Sequence, residues 1–144
     1  MYEKLAKVGA EVIDATCPFV ARIHKIAAEK SGEGYVILIA GDEAHPEIMG
    51  IRGHCSGESY VFSSCDDFEN LVKEKDFSSK KVAILAQTTY NKNMWRKCEE
   101  LFERYLPEAV VYNTICSATS ERQKEAAELA KAADIMIIVG GLHS

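Results

Sequence analysis

Residues 35–40 read YVILIA and residues 81–86 read KVAILA, and these two stretches decide the fold. Each contains a short, uninterrupted apolar run, which is typical of a strand buried on both faces of a parallel sheet. Similar runs predict four further strands, at residues 11–15, 60–62, 109–112 and 134–139. The sequence therefore predicts a parallel sheet, whose strands must be joined by crossover connections.

Amphipathic stretches lie between the predicted strands and predict helices. Pro18 can begin the first helix, and Gly32 and Gly34 can end it. Similar patterns occupy residues 66–75, 91–105 and 117–133. The glycine-rich residues 50–58 are predicted to form a loop. Alternating strands and helices predict an α/β fold with helices flanking the sheet.

The composition excludes several classes of protein. Of the 144 residues 47% are hydrophobic, which is enough to fill one core. The formal net charge of -5 leaves no basic stripe for a nucleic-acid backbone. No apolar run approaches the ~20 residues of a membrane span, and the N-terminus lacks the apolar core of a signal peptide. We therefore expect a cytoplasmic protein that binds neither nucleic acid nor membrane.

The five cysteines are widely spaced and form no CxxC motif. In a chain without an export signal this argues against a disulfide framework, so we expect reduced thiols or metal ligands. Cys17 and Cys116 each lie between a predicted strand and a helix, where free N–H groups and the helix dipole favour a thiolate. A cysteine taken singly is more often a small buried hydrophobe. Cys55, Cys65 and Cys98 are expected to be structural.

Polar residues gather where the predicted strands end, at the edge where parallel sheets bind ligands. His45 and Glu47 flank Pro46 in a predicted turn. An imidazole and a carboxylate near a helix start suit anion binding combined with proton transfer. A solvated loop in which Pro46 begins a helix explains the same residues equally well.

The strand that ends at residue 86 is followed by an amide and two hydroxyls, in Gln87, Thr88 and Thr89. These groups lie where a ligand would rest on the sheet edge, although threonine at such a position more often caps the following helix. Near the end of the chain, glycines 140–141 would let the backbone approach a ligand, and Ser144 can donate to a phosphate oxygen. Paired glycines are equally ordinary in turns.

The chain carries five motifs: IDATCP at residues 13–18, HPE at 45–47, QTT at 87–89, TIC at 114–116 with AT at 118–119 and RQ at 122–123, and VGG at 139–141 with HS at 143–144. In their order and spacing, from about residue 10 to the end, these motifs resemble the IspH (LytB) family. Each motif alone is weakly specific, whereas the ordered set is specific. The function described next is what this resemblance implies, and composition and periodicity imply only the fold class.

The resemblance implies a trefoil of three α/β domains around a central iron-sulfur cluster that three cysteines hold. By motif, Cys17 and Cys116 resemble two of the cluster ligands. The chain would then be a central fragment, with the end of the preceding domain at residues 1–16, the middle domain at 17–115 and the start of the following domain at 116–144. The family's first cluster cysteine has no counterpart here.

The resemblance also implies roles for residues of the site. His45 resembles a diphosphate-binding histidine, and Glu47 resembles the carboxylate that feeds protons to the departing hydroxyl. Thr88 resembles a hydroxyl that hydrogen-bonds the substrate. Three further residues resemble groups that support or bind the substrate: Gln87, Thr89 and Ser144.

The implied reaction is reductive removal of the hydroxyl of 4-hydroxy-3-methylbut-2-enyl diphosphate, giving isopentenyl and dimethylallyl diphosphate. Two electrons would pass through a 4Fe-4S cluster from a donor such as ferredoxin or flavodoxin. With part of the site missing, the fragment is expected to be inactive alone. Two alternatives stay open. One is a non-catalytic α/β module that binds a small phosphorylated ligand, and the other is a thiol-based redox domain that pairs Cys17 with Cys116.

Overall fold

A computed structural model describes residues 7–9 and 11–139, so Ser144 and the glycines before it lie outside the described residues. The strands are β1 (Val36–Ala40), β2 (Ser59–Phe62), β3 (Val82–Ala86) and β4 (Val110–Tyr112). They form one sheet in the order β2-β1-β3-β4, and every adjacent pair is parallel. The predicted α/β fold with a parallel sheet is confirmed.

The helices of the described chain are α1 (Pro18–Gly32), α2 (Pro46–Gly53), α3 (Cys65–Glu74), α4 (Lys92–Tyr105) and α5 (Ser117–Ala132). Residues 50–53, predicted as a loop, form the last turn of α2. Ile48 and Ile51 are fully buried, and this apolar anchoring outweighs the low helix propensity of the two glycines. No helix among the described residues has the length and apolar character needed to cross a membrane.

Side chains of β1 alternate between two apolar cores. Leu38 and Ala40 face a core that α3 and α4 cover, whereas Ile37 and Ile39 face a core that α1 and α2 cover. The first core is largely aromatic, with edge-to-face pairs among Phe62, Phe68, Trp95 and Phe102. Burial on both faces explains why the central strands read as continuous apolar runs.

Two of the predicted strands do not join the sheet. Residues 11–15 and 134–139 are described but take no strand conformation. Their side chains face solvent, with Ile13 86% and Val139 92% exposed. A strand is stable only when neighbours satisfy its backbone and cover its apolar side chains, and no described element does so here. The strand prediction is therefore wrong for these two segments.

Cys65 and Cys98 form a disulfide between the first residue of α3 and the middle of α4, with Cα atoms 5.3 Å apart. The expectation of reduced thiols is wrong for this pair. The two cysteines are 33 residues apart in sequence and meet only because α3 and α4 pack side by side on one face of the sheet. Cys17, Cys55 and Cys116 are free, so Cys17 is not paired with Cys116.

Candidate functional site

The candidate site lies at the carboxyl edge of the sheet, between β1 and β3. After β1 the chain adds β2 on one side of it, and it then returns to add β3 and β4 on the other side. The direction of winding therefore reverses between β1 and β3. Open parallel sheets bind ligands at such a reversal, beyond the carboxyl ends of the strands. The segments that follow these two strands carry most of the predicted site residues, at residues 41–47 and 87–89.

Glu47 joins the two segments through a double contact with Thr88. Glu47 Oε1 accepts a hydrogen bond from the backbone N–H of Thr88 at 2.7 Å, and Oε2 accepts one from the Thr88 hydroxyl at 2.6 Å. The buried side chains of Ile48 and Ile51 anchor α2 on the sheet and so hold Glu47 at this edge. The predicted acid and the predicted substrate-binding hydroxyl thus form one hydrogen-bonded pair.

His45 is the N-cap of α2, where its Nδ1 accepts a hydrogen bond from the backbone N–H of Glu47 at 3.1 Å. A backbone N–H can only donate, so Nδ1 must carry a lone pair in this arrangement. In the neutral ring the proton then lies on Nε2. The cap therefore leaves His45 with an Nε2–H group that can donate to a ligand.

Gln87 is buried, and both the oxygen and the nitrogen of its side-chain amide form hydrogen bonds. Its Oε1 accepts from the backbone N–H of Asp42 at 3.1 Å, and its Nε2 donates to Thr89 Oγ1 at 3.0 Å. Gly41 permits this close approach, because a Cβ at that position would lie 2.8 Å from Gln87 Oε1 and 2.5 Å from Ile48 Cδ1. Gly41 was not predicted from the sequence as a site residue. A glycine directly after a buried strand could have indicated it, because such a glycine often marks a close approach of another group.

The segment after β4 reaches the same edge of the sheet. The Thr114 hydroxyl donates to the carbonyl of Ala86 and accepts from its N–H at 2.9 Å, in place of a strand partner. The backbone N–H of Cys116 donates to the carbonyl of Thr88 at 2.8 Å. These bonds place Cys116 beside Thr88, at the N-cap of α5.

Cys17 is the N-cap of α1 and is exposed. Because α1 leads directly into β1, it runs against the strand direction and begins at the carboxyl edge of the sheet. A cavity of about 100 Å³ at this end of α1 is lined by Phe19, Arg22, Asn113, Thr114, Ile115 and Ser117. Cys17 and Cys116 therefore lie at the same edge.

The two thiols suit metal ligation but do not complete a metal site. Both cysteines are helix N-caps whose side chains make no capping hydrogen bond. Iron-sulfur clusters are held by cysteine thiolates. Across residues 7–9 and 11–139, no three His, Cys, Asp or Glu side chains are grouped so as to hold a metal ion. Cys17 and Cys116 thus fit part of a cluster's ligand set.

A cavity of about 280 Å³ opens beside Thr88, Thr89 and Cys116. Asn91, which also lines it, caps α4 by accepting from the backbone N–H of Asn93 at 2.9 Å. Neither threonine therefore serves as the cap of α4. A cavity of about 610 Å³ lies at the opposite edge, near the starts of β3 and β4, and none of the predicted site residues lines it. The cavity of about 280 Å³ therefore lies at the carboxyl edge of the sheet, where open parallel sheets bind ligands.

His24 and His54 form a second titratable cluster, where α1 packs on α2. Their rings stack with centroids 4.1 Å apart, and His54 Nδ1 lies 2.8 Å from the carbonyl of Gly50. The structure gives the buried His24 Nε2 no hydrogen-bond partner among the described residues. Burial, and secondarily the proximity of His54, lowers the pKa of His24, while Glu47 and Asp14 act in the opposite direction.

The fold and the site define an α/β domain with an acid–hydroxyl pair and two free thiols at the carboxyl edge of its sheet. The profile of the LytB protein family matches residues 1–144, and the chain belongs to that family. The resemblance seen in the sequence motifs is confirmed.

Two relatives show how much of the family's length is present. The 4-hydroxy-3-methylbut-2-enyl diphosphate reductase of Thermoanaerobacter sp. (strain X514) is 40% identical over 144 residues, which is 100% of this chain and 48% of the relative. The reductase of the same name from Clostridioides difficile (strain 630) is 39% identical over 144 residues, 100% of this chain and 50% of the relative. The chain therefore spans about half the length of these relatives.

Two solved structures share the fold. One, a (E)-4-hydroxy-3-methyl-but-2-enyl diphosphate reductase described as the terminal enzyme of the non-mevalonate pathway, is 37% identical with a TM-score of 0.72 over 99% of this chain and 50% of its own. The other, the E-1-hydroxy-2-methyl-but-2-enyl-4-diphosphate reductase of Plasmodium falciparum, is 26% identical with a TM-score of 0.75 over 99% of this chain and 45% of its own. Both support the same α/β architecture.

Proposed function

We propose that this chain supplies part of the active site of a reductase that converts 4-hydroxy-3-methylbut-2-enyl diphosphate into isopentenyl and dimethylallyl diphosphate. Membership of the LytB family and the names of the relatives support the reaction. The observation that carries the proposal is the Glu47–Thr88 pair, which lies beside Cys116 at the reversal of strand winding. The division into a middle domain at residues 17–115 with flanking parts of its neighbours stays a prediction.

The reaction breaks an allylic C–O bond, forms a C–H bond and releases water, so it consumes two electrons and two protons. We assign Glu47 to deliver a proton to the departing oxygen, because its carboxyl group is fixed by two hydrogen bonds to Thr88, which lines the cavity. The Thr88 hydroxyl contacts Glu47 and lines the cavity, so it can hold the substrate hydroxyl within reach of that proton. The second proton goes to the carbon that is reduced.

Neutral hydrogen-bond donors are proposed to hold the diphosphate. His45 contributes its Nε2–H group, which the capping contact through Nδ1 leaves available. Thr89 and Ser144 remain the other predicted substrate-binding residues, whereas Gln87, also predicted to bind or support the substrate, contacts Thr89 through its amide group. Donors fixed before the ligand binds need no rearrangement during the reaction, so they stabilise developing charge at low cost.

Cys17 and Cys116 would hold a 4Fe-4S cluster together with a third cysteine that is not assigned among these residues. When bound, such a cluster supplies the two electrons and a Lewis acid. Both thiols are free, and both stand at helix N-termini without making a capping hydrogen bond, so both are available as ligands. The electron donor, a ferredoxin or flavodoxin, and the cytoplasmic location stay predictions.

A chimera tests the proposal. These 144 residues replace the matching segment of the Thermoanaerobacter relative, and the purified protein is reconstituted anaerobically with iron and sulfide. Turnover of 4-hydroxy-3-methylbut-2-enyl diphosphate is then measured with a chemical reductant, with the unaltered relative as positive control. We expect the chimera to turn over and Glu47→Gln to lower kcat by roughly 10²- to 10⁴-fold, as for loss of a general acid. The 144-residue chain alone is expected to be inactive.

Glu43→Gln is the matched control for the loss of a carboxylate. Glu43 belongs to the same segment but forms an exposed ion pair with Arg52 at 3.0 Å. Exposed pairs of this kind contribute little, so the rate is expected to stay within about twofold of the unsubstituted chimera. Full activity of Glu47→Gln would refute the assignment of the acid. A cluster-bearing chimera that fails to turn over beside an active parent would refute the proposed reaction.

A further inference from the structure

We propose that Gln87 is a positioning residue that fixes the Thr89 hydroxyl as a hydrogen-bond donor to a phosphate group in the site cavity, instead of binding that phosphate itself. The identity of the phosphorylated ligand rests on the proposed function. The hydrogen-bond polarity of Gln87 and Thr89 rests on the structure of this chain alone.

The first step is the orientation of the Gln87 amide. The backbone N–H of Asp42 points at one end of that amide, at 3.1 Å, and a backbone N–H can only donate. The amide atom that faces Asp42 must therefore be the oxygen. The other end, which faces Thr89, must be the NH₂ group. The contact with Asp42 thus removes the usual ambiguity between the two ends of a glutamine amide.

The second step is the polarity of Thr89. An amide NH₂ can only donate, so Thr89 Oγ1 must be the acceptor in the 3.0 Å contact with Gln87 Nε2. The hydroxyl hydrogen of Thr89 is then directed away from Gln87. Thr89 is exposed and lines the cavity of about 280 Å³, so its hydrogen is available to a ligand there. Phosphate oxygens accept hydrogen bonds and match such a donor.

Gln87 itself is poorly placed to touch a ligand. Only 5% of its surface is exposed to solvent. Gly41 lies so close that a Cβ there would be 2.8 Å from Gln87 Oε1 and 3.1 Å from Gln87 Cβ, which confines the side chain. Its oxygen and one of its amide hydrogens are already used within the chain. Gln87 therefore acts through Thr89.

The neighbouring hydroxyl has the opposite polarity. Thr88 donates its hydroxyl hydrogen to the carboxylate of Glu47, so its oxygen presents lone pairs to the cavity. Two adjacent threonines thus offer an acceptor and a donor side by side. A ligand that carries both a hydroxyl, which can donate, and a phosphate, which accepts, complements this pair. Gln87 orients the Thr89 hydroxyl, which is the donor that would bind the phosphate.

Amide hydrogen exchange tests the hydrogen bond between Asp42 and Gln87 without any ligand. In the 144-residue chain, Gln87→Met removes the acceptor of the Asp42 amide, and exchange at Asp42 measured by NMR is expected to quicken at least about tenfold. Gln87→Glu keeps an acceptor oxygen, and Thr89→Val keeps Gln87, so both should leave Asp42 protected. Buried Trp95 reports by its fluorescence whether each variant is folded. Unchanged exchange at Asp42 in a folded Gln87→Met chain overturns the proposal.

Steady-state kinetics of the chimera test the polarity of Thr89. In Gln87→Glu a carboxylate faces Thr89, accepts its hydrogen and reverses its polarity, while the contact with Asp42 survives. We expect KM for 4-hydroxy-3-methylbut-2-enyl diphosphate to rise roughly ten- to a hundredfold with kcat within about twofold, as for the loss of a ground-state hydrogen bond to a charged group. A purely structural role would instead lower kcat, because the segment that Gln87 holds leads to Glu47.

The added negative charge of Gln87→Glu also repels a diphosphate, and a double-mutant cycle with Thr89→Val separates the two effects. Charge repulsion persists when Thr89 is replaced, whereas the polarity effect disappears. We expect the KM rise to be at least about fivefold smaller in the Thr89→Val background. An equal rise in both backgrounds, or a fall in kcat, overturns the proposal. A cluster-bearing unsubstituted chimera that is inactive beside an active parent refutes the proposed function, and Asp42 exchange then still tests the orientation of the Gln87 amide.

Discussion

Gly41→Ala provides the sharpest test of the packing that forms the site. Gly41 is buried between the carboxyl end of β1 and the start of α2. The new methyl group would lie 2.5 Å from Ile48 Cδ1 and 2.8 Å from Gln87 Oε1. Non-bonded carbon atoms need about 3.5 to 4.0 Å, so Ile48 or the backbone must move by about 1 Å or more.

The cost follows from the neighbours that must move. Ile48 is fully buried between α2 and the sheet, so its methyl group cannot retreat without shifting α2. Overpacking of this kind costs about 1 to 3 kcal/mol. Displacing Gln87 Oε1 also weakens its hydrogen bond from Asp42, which contributes about 0.5 to 1.5 kcal/mol. Together, these two effects are expected to lower the free energy of unfolding by roughly 1.5 to 4.5 kcal/mol.

Urea unfolding followed by tryptophan fluorescence measures this change. Trp95 is the only tryptophan of the sequence and is 1% exposed, so its emission reports loss of the aromatic core. Gly53→Ala is the matched control, because a Cβ at the last residue of α2 meets nothing within 4 Å. That substitution is expected to be neutral or to stabilise by up to about 1 kcal/mol. A Gly41→Ala chain within about 0.5 kcal/mol of the control would refute the packing argument.

Three further outcomes are expected. Reduction of the Cys65–Cys98 disulfide, which closes a span of 33 residues, should lower the free energy of unfolding by roughly 3 to 4 kcal/mol, and equal urea midpoints with and without dithiothreitol would contradict this. The pKa of His24 is lowered in the folded state, so the unfolded chain binds a proton at His24 more readily than the folded chain does. The free energy of unfolding should therefore be highest above the ordinary pKa of 6.5 and should decrease as the pH falls below it. Urea titrations between about pH 7.5 and about pH 5 should show a shallower loss for His24→Leu, and identical slopes would exclude His24 as the source. Iodoacetamide should label exposed Cys17 before Cys55, since burial raises the pKa of the Cys55 thiol, and mass spectrometry of brief reactions would expose the reverse order.

Much of the fold was predictable because the signals for it are local. The runs VILIA and VAILA are β1 and β3, and the predicted helix that Pro18 begins is α1. Parallel strands bring their carboxyl ends to one edge, so polar residues placed after several strands were expected to share a site. The same local pattern failed at residues 11–15 and 134–139, where the apolar side chains have no described partner. An apolar run specifies a tendency to pair, and pairing also requires a neighbour.

The sequence alone determined the α/β class, the positions of the central strands, and the placement of His45, Glu47 and Thr88 at strand ends. Only the tertiary structure decided the order β2-β1-β3-β4, which brings the segments after β1 and β3 together. Glu47 meets Thr88 across 41 residues, and Gln87 meets Asp42 across 45. Such contacts depend on which strands are neighbours and on how the helices pack across them. The periodicity of any single segment carries no information about either, because it reports only which face of that segment is buried.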